Sequence, residues 1–211
     1  IKNPIGMTGR RLESKVHLIT AAIAAMNNFV SCVEELGLSV EGIVFQPIAS
    51  SLSTLKKDEM ELGITLVDLG YTTTNIAVYH KGSIRHSGII PIGSKSITND
   101  IAVMLQIGLE ESEKIKVKYA SALASMSSSE LNISISNIGD DKERSVSEKE
   151  ISEYVEARMQ EIFQMVIQEI SRADVKDPLT YGIVLTGGGA SLKVLSGEKL
   201  DFIKSWERYE K

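Results

Sequence analysis

LVDLGYTTTNIAVY, residues 66–79, is an apolar run ending in an aspartate, followed by a glycine, three threonines and a second β-rich run. This pattern predicts two adjacent strands joined by a tight turn. The turn suits a phosphate, because glycine permits close backbone approach, successive N–H groups form a nest and threonine hydroxyls donate hydrogen bonds. Asp68 would accept from metal-bound water, since direct contact between two anions is repulsive. A plain structural hairpin is the alternative interpretation of the same residues.

The bulk properties describe a globular chain of 211 residues with 43% hydrophobic residues and a formal charge of −5. The negative charge argues against nucleic acid as a partner. Cys32 lies in a helical apolar pattern, which predicts a buried structural thiol. No apolar run reaches the ~18–20 residues of a membrane span, no signal peptide is recognised, and we expect a cytoplasmic location. The histidines have no metal-ligand spacing.

The first quarter of the chain is predicted as a strand at 15–20, a helix at 21–36 and a strand at 40–45. This β-α-β piece resembles half of a domain. Gln46 and Pro47 open a helix that runs to Leu55, because proline fits the first helical turn. The charged residues 56–61 are predicted to form a solvated loop.

The remainder is predicted to alternate between strands and helices. Ser147 and Glu150 have capping-box spacing and begin a long helix with an apolar stripe. The predicted strands are 63–68, 75–79, 83–91, 131–135 and 181–185; the predicted helices are 94–105, 109–119, the one from 147 and one from 191; residues 137–144 are predicted as a loop.

Three further features are candidates for binding. Glu113 and Lys116 project from the same helical face, as either a surface ion pair or ligand contacts. The turn Gly187–Gly189 between strand and helix would let a ligand lie against the backbone. Arg158 interrupts the flank of the apolar stripe, as either an edge residue or a partner contact.

The order of these segments resembles the second lobe of the actin/Hsp70-type ATPase fold. Within that superfamily the chain is similar to the FtsA family of bacterial cell-division proteins. The segments that carry the resemblance are KNPIGMTGRRLESKVHLIT, FQPIASSLSTL, ELGITLVDLGYTTTNIAVYHKGSIRHSGIIPIGSKSITNDIA, SEKIKVKYASA, EARMQEIF and YGIVLTGGGASLK.

The resemblance implies an α/β, actin-like ATPase fold comprising subdomains 2A and 2B of the second lobe, plus the C-terminal part of an FtsA-type 1C domain. Its implied boundaries are 1–46 for the partial 1C domain, 47–58 for a connecting helix, 59–107 and 176–196 for 2A, 108–175 for 2B, and 197–211 for a tail.

The resemblance also implies roles for individual residues. ATP would be the bound nucleotide, with Asp68 acting on Mg²⁺ through water and Gln46 orienting the attacking water. Arg158 matches an arginine that helps to bind the C-terminal tail of FtsZ. The implied nucleotide contacts are Gly70, Thr72, Thr73 and Asn75 in the hairpin, Glu113 and Lys116 on the helix, and Gly187, Gly188 and Gly189 in the glycine turn.

Four departures from the family pattern bear on activity. Tyr71, Thr72 and Asn75 stand where relatives usually have two glycines and an aspartate, and Gln46 replaces the more usual glutamate. A neutral amide orients water but does not accept its proton. The first phosphate loop is absent and few residues follow the glycine turn, so we expect a fragment.

The expected function is therefore that of an ATP-binding, filament-forming protein that tethers the FtsZ ring to the inner face of the cytoplasmic membrane at the division site. Any ATPase activity would be slow. The tail containing Trp206 is a candidate amphipathic anchor, with an ordinary surface helix as the alternative. A non-hydrolysing, PilM-like scaffold is the second hypothesis. A sugar kinase is the third, although no sugar-binding segment is visible.

Overall fold

The computed structural model describes residues 5–14, 16–136, 143–173, 175 and 179–193, and the chain divides into two compact units, 1–43 and 44–211. The elements in chain order are α1 (Ile23–Glu34), α2 (Gln46–Thr54), α3 (Lys57–Leu62), β1 (Ile64–Leu69), β2 (Thr74–His80), β3 (Ser83–Ile90), α4 (Ser94–Leu105), α5 (Leu109–Tyr119), β4 (Asn132–Ser136), β5 (Glu143–Ser147), α6 (Glu148–Ser171) and β6 (Ile183–Thr186). Short 3₁₀ turns occupy Ala124–Met126 and Gly188–Ser191.

The described part of the first unit contains α1 as its regular element, which confirms the predicted helix. The predicted strands at 15–20 and 40–45 are wrong, because residues 16–20 and 40–45 have no strand structure. A strand needs a neighbour for its backbone hydrogen bonds, and the described residues of this segment provide none.

The prediction that Cys32 is buried is also wrong, since this cysteine is free and exposed. The reason lies in α1 as a whole, which buries none of its residues. An apolar helical stripe becomes buried only when another element packs against it. Among the described residues, Phe29 on the same helix is likewise 77% exposed.

The second unit is built on a four-stranded sheet with the order β3-β2-β1-β6. The pairs β1/β2 and β2/β3 are antiparallel, whereas β1 and β6 run parallel. Every residue of β1 and β2 is buried, as expected for central strands covered on both faces. The predicted strands at 63–68, 75–79 and 83–91 are confirmed.

Helices α2 and α3 pack against the β1–β2 part of the sheet. The loop predicted at 56–61 is wrong, because α3 begins at Lys57. Its start is capped by the Glu59 carboxylate, which accepts a hydrogen bond of 2.7 Å from the Lys56 N–H. Met60 packs against a small core cluster beside β1, so the charged run forms an amphipathic turn of helix.

The larger core lies where β1, β2, α4 and α5 meet the long helix α6. Helix α6 begins as predicted, with the Ser147 hydroxyl accepting from the Glu150 N–H at 3.2 Å. Its apolar stripe is buried, which confirms the predicted core face; the stripe comprises Ile151, Val155, Met159, Ile162, Phe163, Val166 and Ile170.

The two-stranded sheet β4–β5 was only half predicted. Strand β4 matches the prediction, whereas β5 begins inside the region predicted as a loop. Its polar sequence ERSVS lacks a strong strand signal, and pairing with β4 from Asn132 to Ser136 supplies the missing stabilisation.

At the other end of the unit, the predicted strand 181–185 is observed as β6 and leads into the glycine turn. The predicted helix from 191 is wrong over its described residues, because Ser191 ends the 3₁₀ turn and Lys193 pairs with Ser121 in an isolated β-bridge. The tail 197–211 with Trp206 lies outside the described residues. Within the described ranges, no helix is long and apolar enough to cross a bilayer.

Candidate functional site

Asp68 is the point at which three separate segments meet. It lies near the end of β1 and is only 5% exposed. Its Oδ2 atom accepts hydrogen bonds from Gln46 Nε2 at 3.0 Å and from Ser50 Oγ at 3.1 Å. Gln46 and Ser50 are four residues apart and therefore share one face of α2. The predicted water-orienting amide and the predicted metal-associated carboxylate are thus direct neighbours.

The glycine turn packs against the same carboxylate. Gly187 has φ +86°, and a Cβ there would lie 2.5 Å from Asp68 Oδ1 and 2.6 Å from the Leu69 carbonyl oxygen. Glycine is required by both the conformation and the space. Gly189 is buried against Leu69, whereas a Cβ at Gly188 would meet no atom within 4 Å. The turn therefore keeps one open backbone face.

The hairpin turn is held by the start of α4. The carbonyl oxygens of Gly70 and Tyr71 accept hydrogen bonds from the Ser94 and Lys95 N–H groups at 2.9 and 2.7 Å. No peptide bond among the described residues is cis, so the C=O and N–H of one peptide unit of the turn point in opposite directions. The N–H groups of Tyr71 and Thr72 consequently point away from α4, which is the orientation that an anion-binding turn requires.

Hydrogen bonds on either side of the turn fix its shape. The Gly70 N–H donates to the Thr73 carbonyl at 3.0 Å, and Thr74 Oγ1 donates to the Ile92 carbonyl at 2.7 Å. Thr72 is exposed and Thr73 is half-buried. These hydrogen bonds therefore hold the backbone of the turn in place, and the two threonines predicted to contact phosphate keep some exposure to solvent.

Asn75 faces Asp68 directly across the antiparallel pair β1/β2. Directly opposed residues project from the same face of a sheet, and Asn75 is 5% exposed. An aspartate at this position would place a second carboxylate beside Asp68, and like charges in such a pair are destabilising. The asparagine removes that repulsion and leaves the site less acidic.

Glu113 and Lys116 do not form a solvated surface pair, because the Lys116 side chain is only 5% exposed. Its ammonium group donates to Glu113 Oε2 at 2.7 Å, Thr98 Oγ1 at 2.9 Å and the Ser94 carbonyl at 3.2 Å. These partners match its three N–H donors. The network joins α5 to the first turns of α4.

The same network determines the charge state of the Glu113 carboxyl group. It also accepts from Thr98 Oγ1 at 2.5 Å. Burial acts to raise the pKa of Glu113, but hydrogen bonds from Lys116 and Thr98 and the charge of Lys116 outweigh it, so the pKa lies below its ordinary value. Glu113 is therefore an anion at neutral pH.

Tyr71 connects this network to the hairpin. The ring is exposed, and its centroid lies 5.7 Å from Lys116 Nζ and 6.0 Å from Lys95 Nζ. Both distances are within the range of cation–π attraction. Tyr71 therefore lies close to two ammonium groups at the edge of the hairpin.

Arg158 is engaged within the chain. Its Nε and Nη2 atoms donate to Asp100 Oδ2 and Oδ1 at 2.6 and 2.8 Å, and its Nη1 donates to Glu161. The bond to Asp100 raises the pKa of the guanidinium further, against a smaller opposing effect of burial. This cluster fastens α6 to α4, and none of these hydrogen bonds involves Asp68 or Lys116.

The described residues contain no group of three or more His, Cys, Asp or Glu side chains that would hold a metal ion on their own. Mg²⁺ commonly binds through one or two carboxylates, phosphates and water, and the single carboxylate of Asp68 fits that mode. A cavity of about 790 Å³ lies between α5 and β4. Of the predicted site residues only Glu113 lines it, so the convergence of segments at Asp68 marks the site better than cavity size.

Sequence reasoning missed several residues of these networks. Ser50 had a detectable signal, because it lies one helical turn after Gln46. Thr98 and Ser94 had none, since they meet Lys116 only through the packing of α4 on α5. Asp100 lies 58 residues from Arg158 in sequence, and no spacing rule joins them.

Comparison with solved structures gives the fold. MreB5 of Spiroplasma citri bound to AMPPNP superimposes with a TM-score of 0.70 at 21% identity, covering 82% of this chain and 55% of that one. The MamK double helical filament gives 0.65 at 16% identity, covering 90% and 58%. The PilM–PilN pilus biogenesis complex gives 0.63 at 17% identity, covering 85% and 45%. The chain has the actin-like ATPase fold.

Comparison with sequences gives the family. The profile of the family described as cell division protein FtsA matches residues 65–197. The FtsA proteins of Pseudomonas aeruginosa and Neisseria meningitidis are 42% and 41% identical, over 92% and 89% of this chain. The chain spans about half the length of the curated relatives it matches, with 46% of each of these two covered. Because the profile match and these identities agree, the chain belongs to the FtsA family of cell-division proteins.

Proposed function

We propose that this chain is the ATP-binding second lobe of an actin-like protein of bacterial cell division. The observation that carries the proposal is the convergence of Gln46, the Asp68 hairpin and the glycine turn on one buried carboxylate. MreB5, which shares the fold, was solved with AMPPNP and with ADP. The outward N–H groups of Tyr71 and Thr72 are the donors available to phosphate.

The proposed roles follow from the geometry of each group. Gly70, Thr72 and Thr73 would contact phosphate, and Asp68 would accept from water on Mg²⁺. Gln46 donates its amide to Asp68, which leaves its oxygen to orient water. Because Gln46 has a neutral amide and not a carboxylate, it cannot accept a proton from the attacking water, and we expect hydrolysis to be slow.

The proposed nucleoside contacts are Glu113, Lys116 and the turn Gly187–Gly189. In this proposal, 2A comprises 59–107 and 176–196, and 2B comprises 108–175. The hydrogen bonds of Lys116 to Ser94 and Thr98 would then cross from 2B to 2A. A nucleotide bound beside them would stabilise the relative position of the two subdomains.

The open face of Gly188 gives a specific test. Gly188→Ala adds one methyl group where the protein leaves space but a nucleoside would lie. Gly108→Ala is the matched control, because its Cβ also meets nothing within 4 Å. We expect isothermal titration with Mg·ATP to show several-fold weaker binding for Gly188→Ala and no change for Gly108→Ala, with both melting temperatures unchanged. Equal ATP affinity in both variants would contradict the proposed nucleoside position.

We further propose that the protein polymerises, as its fold relative MamK does, and tethers the FtsZ ring to the membrane, with the tail 197–211 as anchor. Arg158 would bind the acidic tail of FtsZ, because a guanidinium fork recognises carboxylates bidentately. Fluorescence anisotropy with a labelled FtsZ tail peptide tests this contact. Arg158→Glu should weaken binding at least tenfold, and unchanged affinity would exclude the contact.

A PilM-like scaffold that does not bind nucleotide is the second candidate function. The observation that favours it is that Lys116 has a protein acceptor for each of its N–H donors. Titration of the protein with Mg·ATP separates the two functions. Saturable heat together with a raised melting temperature supports the ATP-binding protein, whereas neither change supports the scaffold.

A further inference from the structure

The guanidinium of Arg158 already holds a carboxylate in the geometry that an acidic peptide would need. Its Nε–Nη2 edge binds both oxygens of Asp100, at 2.6 and 2.8 Å. Its Nη1 binds Glu161, which lies three residues away on the same helix. The edge best suited to bidentate recognition is therefore occupied by a residue of another helix.

The charges of this cluster oppose simple addition of an acidic partner. One guanidinium faces two carboxylates, so the three side chains sum to −1. A further carboxylate would raise the negative charge and be repelled. Replacement of Asp100 by the partner's carboxylate leaves the charge at Arg158 unchanged. The Arg158 and Asp100 side chains are each 27% exposed, so solvent and a peptide both have access to the pair.

We propose that Asp100 is an intramolecular competitor of the acidic partner peptide, and that peptide binding exchanges the Asp100–Arg158 bond for a peptide–Arg158 bond. The inference rests on the proposed function of Arg158 and adds its regulation. Because the pair is partly exposed, water and a ligand carboxylate can compete with it, whereas the Glu161 bond within α6 can persist.

The exchange has a consequence for the hairpin, because Asp100 belongs to α4. The first N–H groups of this helix hold the carbonyls of Gly70 and Tyr71. Loss of the Asp100 bond removes one attachment between α4 and α6, which stay packed in the shared core, while the start of α4 remains attached to the hairpin. Peptide binding and nucleotide binding are thereby coupled, and linkage requires the coupling to act in both directions.

The test measures binding of a fluorescein-labelled FtsZ tail peptide to the full chain by anisotropy at low salt. Asp100→Asn removes the competitor, so we expect about three- to tenfold tighter binding than wild type. Glu161→Gln leaves the bidentate edge occupied and should tighten binding by less. Asp100→Glu retains the charge and is the matched control. In the double variant Asp100→Asn/Arg158→Gln the gain in peptide affinity should disappear, because that gain comes from the freed guanidinium of Arg158.

The outcomes separate the inference from the proposed function. If Arg158→Gln weakens peptide binding but Asp100→Asn leaves it unchanged or weaker, the competition is wrong and the partner site stands. If neither variant changes the affinity, the partner site itself is wrong, and the inference falls with it. Should Asp100→Asn fail to fold, hydrogen exchange of wild-type α4 decides instead: saturating peptide should speed exchange there, and unchanged exchange overturns the proposal.

Discussion

Lys116 and Arg158 are two cations that fasten different helices to α4, and they do so in opposite ways. Lys116 on α5 is almost fully buried and has three acceptors, two of them uncharged. Arg158 on α6 is about a quarter exposed and binds two carboxylates. Removal of a buried cation takes a hydrogen bond from each of its acceptors, and water does not readily replace those bonds in the interior. A partly exposed cation among anions can exchange one of them, so the first attachment is permanent and the second adjustable.

The largest expected effect comes from breaking the buried attachment. Lys116→Met retains the apolar stem and removes the ammonium, which takes one hydrogen bond from each of Glu113, Thr98 and the Ser94 carbonyl. We expect the free energy of unfolding to fall by about 2–3 kcal/mol, measured by urea denaturation. Lys114→Met is the control, since its ion pair with Glu110 is on the surface. Equal stability of the two variants would show that Lys116 is not a structural attachment.

Breaking the exposed attachment should cost less. Arg158→Met removes the bonds to Asp100 and Glu161, but solvent can hydrate both released carboxylates. We expect a loss of about 1 kcal/mol in the same urea experiment. A loss as large as that of Lys116→Met would mean that the Arg158 cluster is as permanent as the buried one, and the proposed exchange would become untenable.

Acid should weaken the Lys116 network through Glu113. The folded-state pKa of Glu113 is depressed, so its contribution is present above the ordinary pKa of about 4.3. It is lost as the pH falls through the lower folded value. Glu113→Gln should flatten the decline of stability below about pH 4.3. A slope remains from Glu148, whose pKa is lowered by hydrogen bonds from Lys193 and the Ser128 N–H. If stability declines equally steeply with acid in the variant and in the wild type, Glu113 does not contribute to the acid sensitivity.

The smallest expected effect is the response to salt. Raising NaCl from low concentration to about 0.5 M screens exposed ion pairs much more than buried ones. The stability difference between wild type and Arg158→Met should therefore shrink, by a few tenths of a kcal/mol. The difference for Lys116→Met should stay nearly constant. Parallel shrinkage of both differences would indicate that solvent reaches both cations equally.

The sequence predicted what depends on local pattern. The hairpin strands, α5 and the start of α6 were predicted correctly because alternation, helical periodicity and a serine cap are local signals. The failures depend on contacts that are distant in sequence. The burial of Lys116 comes from Ser94 and Thr98 on another helix, and the exposure of Cys32 comes from the lack of packing on α1.

The residues of the candidate site also fall into those that the sequence predicted and those that depend on contacts distant in sequence. Asp68, Gln46 and the glycine turn were named from sequence, largely through the family resemblance, and the structure places them together. The partner of Arg158 was not predictable, because Asp100 lies on the opposite side of a helix–helix contact 58 residues away. The sequence around an arginine does not reveal whether its guanidinium group is already paired with a carboxylate of the same chain.

The attachment of the hairpin to α4 has an electrostatic consequence. In each of the peptide units that begin with the Gly70 and Tyr71 carbonyls, the C=O accepts from the helix and the N–H points outward. Their dipoles therefore align with the dipole of α4, and hydrogen bonds in such a chain polarise one another. The partial positive charge at the N-terminus of α4 is thereby reinforced by these two peptide dipoles at the N–H groups of Tyr71 and Thr72. The turn would attract a phosphate with part of the field of the whole helix, although no residue of α4 need touch it.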